Sequence, residues 1–135
     1  MAGVFKAHGE LALEIHGNIL KIEGTGPWNL ELIKQAEAQL PSDFPACLGP
    51  HWGVITIMHG DPMYIPSAEA HLKNQISIEK NHGRVATAVV ITNDEHFDFY
   101  ARYFDKMYTE CGDTVACFAD QEKAEQWLNE QLAVS

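Results

Sequence analysis

The stretch Arg84-Val85-Ala86-Thr87-Ala88-Val89-Val90-Ile91-Thr92 decides the fold. Its apolar run, Val85–Ile91 with Thr87 inside it, is the longest in the chain. That run is far shorter than the ~20 residues that cross a bilayer, and Gly83 bounds it, so it predicts a strand over 84–92. Upstream, Ser67 is placed to cap a helix that turns Ala68, Leu72 and Ile76 inward and that Gly83 closes. Downstream, Asn93 or Asp94 caps a helix reaching about Cys111, with Phe97, Tyr100, Ala101, Phe104 and Tyr108 on one face. A strand between two helices is the unit of an α/β sheet.

The same unit repeats on both sides. Trp52–Met58 is a short apolar run suited to a buried parallel strand, and His59-Gly60-Asp61-Pro62 is expected to break it. Beyond the turn Gly112-Asp113, Thr114–Phe118 reads as the last strand. Asp120 then caps a final helix with Ala124, Trp127, Leu128 and Leu132 on its stripe.

Nearer the N-terminus, residues 11–23 alternate apolar and polar around Gly17-Asn18, a dipeptide that favours a two-residue hairpin turn. That turn sets His16 opposite Ile19, Ile15 opposite Leu20 and Leu13 opposite Ile22; a one-residue slip would scatter the apolar side chains over both faces. A turn at Gly24-Thr25-Gly26-Pro27 and a helix from Asn29 or Pro27 to Leu40 follow. Pro41–Pro50 reads as irregular loop. The predicted order is β-β-α-β-α-β-α-β-α: a single domain over 1–135, with a mostly parallel five-stranded sheet, one antiparallel strand and helices packed on it.

Composition narrows the function classes. The 135 residues carry 9 Lys and Arg against 19 Asp and Glu. Such an acidic chain is repelled by phosphate backbones and anionic headgroups, so neither nucleic acid nor membrane insertion is expected. Met1–Glu10 has no long apolar core of the kind a leader carries, and the three cysteines form no C-x-x-C pair. Both point to a reduced, cytoplasmic protein.

Three stretches carry a resemblance. Gly24-Thr25-Gly26-Pro27-Trp28 closes the hairpin, and Gly83-Arg84-Val85-Ala86-Thr87-Ala88-Val89-Val90 leads a glycine into a small-residue strand. Val115-Ala116-Cys117-Phe118-Ala119-Asp120 is followed by Lys123-Ala124-Glu125-Gln126-Trp127-Leu128. Together with the element order they resemble the SpoIIAA-like branch of the STAS domains. The resemblance implies a non-enzymatic regulatory or protein-interaction module; its regulatory members carry an Asp-Ser pair, followed by glycine, at the start of the second helix. This chain departs from that pattern, reading Asp61-Pro62-Met63-Tyr64-Ile65-Pro66-Ser67-Ala68, so the aspartate and the candidate phosphosite Ser67 are not adjacent.

Ligands of open parallel sheets sit beyond the carboxyl ends of the strands. Those ends bring together Trp28, His59, Asp61, Asp94 and His96, with Asn93, Glu95 and Asp120, as a candidate ligand or partner edge. His59 with Asp61 is the pair an acid–base enzyme would use. No nucleophile elbow, P-loop or paired-histidine metal motif is present, so no catalytic residue, cofactor or metal is assigned. On the aromatic helix, Phe99, Tyr103 and Met107 lie off or at the edge of the buried stripe, which marks a candidate interface for a homodimer or another protein. The alternative is a pocket for a small apolar or lipid-like ligand, covered by the proline-rich loop 41–52, Met63–Ile65 and the aromatic helix.

Overall fold

The computed structural model describes residues 10–134; the stretch 1–9, on which the leader argument mostly rests, lies outside the described residues. β1 (Glu10–His16) and β2 (Ile19–Trp28) form the antiparallel hairpin, with His16 opposite Ile19, Ile15 opposite Leu20 and Leu13 opposite Ile22. β3 (Trp52–Tyr64), β4 (Arg84–Ile91) and β5 (Thr114–Phe118) add in parallel, giving one five-stranded sheet in the order β1-β2-β3-β4-β5. Every crossover moves one strand in the same direction. Crossovers of one hand therefore deliver α1 (Leu30–Glu37), α2 (Phe44–Leu48), α3 (Pro66–Lys80) and α4 (Phe97–Glu110) to one face. The closing helix α5 (Gln121–Ala133) packs on the other face, where Ala124 and Leu128 meet Ile55, Ile57, Ala88 and Val90.

Several sequence expectations need correction. Gly24-Thr25-Gly26-Pro27 is not a turn, and His59-Gly60-Asp61-Pro62 does not end its strand: β2 and β3 pair from Ile19↔Gly53 to Gly26↔Gly60 and again at Trp28↔Tyr64. Asp61, Pro62 and Met63 thus stand opposite Pro27 alone, a bulge that removes any need for a ladder donor at Pro62. Gly26 permits the crossing, since a Cβ there would run into the Asp61 carbonyl. Trp28, fully buried with its ring 5.1 Å from that of Tyr64, is a core residue and not part of an open edge.

The helix starts divide by chemistry. Asn29 caps α1 through Leu32 N–H at 2.9 Å, and Asp120 caps α5 through Glu122 N–H at 2.8 Å. Ser67, by contrast, is no cap. Pro66 takes the first helical position, for which its fixed φ suits it, so Ile65 is the cap residue and Ser67 falls inside the first turn, exposed. Asn93 and Asp94 do not cap α4 either, because that helix begins later, after His96. The Asn93 amide donates instead to the Gly60 carbonyl at 3.2 Å. The loop 41–50 contains α2, which buries Leu48 and sets the Phe44 ring edge-on to Trp52 at 5.7 Å.

Met107 is 2% exposed and belongs to the core with Tyr100, Phe104 and Tyr108, so it is removed from the candidate interface. Among the described residues no helix is long and apolar enough to cross a membrane.

Candidate functional site

At the carboxyl edge, the register places Glu23 of β2, His59 of β3 and Thr92, just past the end of β4, on one face of the sheet, since Glu23 pairs with Ile57 and Met58 with Ile91. His59 joins them: its Nε2 lies 2.9 Å from Glu23 Oε2 and its Nδ1 2.9 Å from Thr92 Oγ1. A carboxylate only accepts, so Nε2 carries a proton. Neutral His59 then accepts from the Thr92 hydroxyl; when doubly protonated it donates to that oxygen, whose own proton turns to the Met58 carbonyl, 3.2 Å away. The arrangement ties β2 and β3 to the residue that follows β4.

The expected pairing of His59 with Asp61 does not form. Asp61 accepts from the Tyr100 hydroxyl at 2.7 Å, and that hydrogen bond, more than burial, raises the phenol above its ordinary pKa. Asp94 and His96 are exposed nearby, the His96 ring 6.4 Å from that of Tyr100. Glu23 and Thr92 went unrecognised in the sequence, where they lie 36 and 33 residues from His59; only the register of three strands, read together, signals them. Among the described residues no group of His, Cys, Asp and Glu side chains is arranged to hold a metal ion.

On the proposed interface, Phe99 is 56% exposed, with its ring 5.4 Å from that of Tyr100. Tyr103 is half-buried and donates its hydroxyl to Glu69 of α3 at 2.7 Å.

A second site lies between α1, α2, α3 and the hairpin end of the sheet. Leu13, Leu20 and Ile22 from the hairpin meet Leu40, Phe44 and Leu72 around an inner recess of about 200 Å³. Of these six, only Leu20 is fully buried. The recess continues past Ser42, Phe44, Gln75 and Glu79 into an outer hollow of about 400 Å³ lined by Asp43, Ile78 and His82. α1 ends at Glu37, the chain turns through 38–41, and α2 sets Phe44 against Trp52, which leaves this groove open. His71 Nε2 binds Glu37 Oε1 at 2.9 Å and pins α3 to α1 across it.

Polar groups form its deep end. Arg84, with its side chain 4% exposed, donates from Nη1 to Glu79 (2.6 Å), from Nη2 to Thr87 (2.6 Å) and from Nε to Asp113 (3.2 Å). The fully buried Asp113 carboxylate also accepts from Thr87, from Lys80 and from the Thr114 amide. Burial alone would lower the Arg84 pKa; Asp113 and Glu79 reverse that and raise it. Glu79 is held above the ordinary carboxylate range, because burial outweighs the attraction of Arg84.

No family model, curated protein or solved structure matches this chain.

Proposed function

We propose that this chain is a STAS-like binding module whose groove, between the hairpin, α1, α2 and α3, receives a small ligand with an apolar body. The observation that carries the reading is the convergence of Leu13, Ile22, Leu40, Phe44 and Leu72, all only partly buried, around one recess. Five large apolar side chains left half-wet together are uncommon on a surface where single ones are ordinary. The proline-rich stretch contributes Pro41, Ser42, Asp43 and Phe44 to the lining, whereas Met63–Ile65 and α4 do not line it. The three free cysteines fit a reduced, cytoplasmic setting.

A two-dimensional ¹H–¹⁵N titration with small apolar molecules tests this. The expected shifts cluster at Leu13, Leu40, Phe44 and Leu72, and Leu72→Trp, which fills the recess, abolishes them while the spectrum stays dispersed. Shifts confined to the carboxyl edge would reject the groove.

The second reading, self-association through α4, is favoured by the exposure of Phe99. Phe99→Ser should then shift sedimentation equilibrium from dimer toward monomer without unfolding the chain. A wild-type protein that is monomeric at all concentrations removes this reading.

A further inference from the structure

The walls of the groove say that its ligand is greasy; its charges say more. Glu37 and Glu79 both line the inner recess, and Asp43 lines the outer hollow. Among the described residues, Arg84 is the sole Lys or Arg lining either part, and its Nε, Nη1 and Nη2 already donate to Asp113, Glu79 and Thr87. Lys80 is engaged behind it by Asp113 and the Val85 carbonyl. Among the described residues of the groove and that network, histidines aside, the carboxylates of Glu37, Asp43, Glu79 and Asp113 outnumber the cations Arg84 and Lys80. The field in the groove is therefore negative.

We infer that the groove selects a small primary amine: an ammonium head between Glu37 and Glu79, with its hydrocarbon tail against Leu13, Leu40, Phe44 and Leu72. The inference rests on the binding-module reading and adds the charge of the ligand. An ammonium group brings three donors. Glu37 meets His71 and Glu79 meets Arg84, yet each carboxylate has about four lone-pair sites, so accepting capacity remains. Gln75 and Ser42, which line both parts, add acceptors at the junction. A carboxylic acid of the same size would face two carboxylates and an arginine whose guanidinium is already held on three sides. The inner recess, about 200 Å³, lies below the ~300–1,000 Å³ of drug-sized sites, which keeps the ligand small.

Matched probes separate charge from hydrocarbon: hexylamine, hexan-1-ol and hexanoate, titrated at neutral pH and low salt into ¹⁵N-labelled protein. Hexylamine should bind tightest, shift the groove amides, and weaken with added salt as the alcohol does not. Glu37→Gln keeps a hydrogen-bond partner for His71 and removes the charge. It should weaken hexylamine about tenfold and leave hexan-1-ol unchanged. Gln75→Glu, whose fold does not depend on the His71 contact, should tighten hexylamine and exclude hexanoate. If hexan-1-ol or hexanoate binds as well as the amine at the same amides, the charge inference is overturned while the groove stands. If none of the three shifts those amides, the binding-module reading falls and takes this inference with it.

Discussion

Asp113→Ala should lower the unfolding free energy by about 3–5 kcal/mol, the cost of breaking a buried ion pair from one side. Asp113 is buried at the turn into β5, and its two oxygens take hydrogen bonds from Arg84 Nε, Thr87 Oγ1, Lys80 Nζ and the Thr114 amide. Alanine removes all four acceptor contacts at once. Arg84, almost sealed from water, is left with Glu79 and Thr87, and the Thr87 hydroxyl loses the carboxylate that accepted its proton. Asp113→Asn keeps the shape and one acceptor oxygen, so it should fall between alanine and wild type. Equilibrium urea melts monitored by circular dichroism give all three values. A loss under 1 kcal/mol for Asp113→Ala would mean that Arg84 is not buried as described.

A surface pair calibrates that figure. Lys73 and Glu110 approach to 2.6 Å, closer than Arg84 and Asp113, but both are partly exposed and screened. Distance is thus a poor guide to energy here; desolvation of the partner left behind is the better one. Removing Arg84 and Asp113 together, with apolar replacements of similar volume, should cost far less than Asp113→Ala alone. The network also has a bearing on the groove: by holding three of Arg84's donor nitrogens, it withholds the cation from the ligand site and leaves the carboxylates to set its charge.

The hairpin was legible because two signals agree in it. The Gly17-Asn18 dipeptide fixes the turn, and alternation with period two fixes the faces, so Leu13↔Ile22 could be stated from the sequence. Asp120 was legible as a cap because it immediately precedes the first helical residue. Ser67 misled because two residues competed for one helix start, and Pro66, with φ preset, took it. Met107 misled for a different reason. A single stripe at helical spacing describes a helix packed on one partner, but α4 also meets α3 through Tyr103–Glu69 and Glu110–Lys73, which widens its buried arc. The candidate site was the least legible part. Its carboxyl edge was legible as a place, yet the actual partners of His59 come from β2 and from the residue just past β4. The groove depends on where α2 turns, inside a stretch that read as loop.

Gly83→Ala should be the most damaging of the glycine replacements near the groove, at about 3 kcal/mol or more, because two independent costs add there. Gly83 has φ +100°, a region that strains an L residue by about 1–3 kcal/mol. A Cβ at that position would also lie 2.5 Å from the Pro50 carbonyl oxygen and 3.1 Å from Trp52 Cδ1. Neither neighbour can yield easily. The Trp52 amide donates to the Gly83 carbonyl at 2.9 Å and the indole Nε1 donates to the His82 carbonyl at 2.8 Å, so the start of β3 is fastened to the glycine it would have to leave. Gly112→Ala supplies the control. Its φ is +79°, with nothing within 4 Å of the added Cβ, so it carries the backbone strain without the collision. The difference between the two variants in the same urea melts measures the contact of Gly83 with Pro50. If Gly83→Ala is no worse than Gly112→Ala, the end of α3 does not press against the loop as the structure has it. Because His82 lines the outer hollow, a Gly83→Ala protein that still folds should also show altered ligand shifts there, whereas Gly112→Ala should leave the groove unchanged.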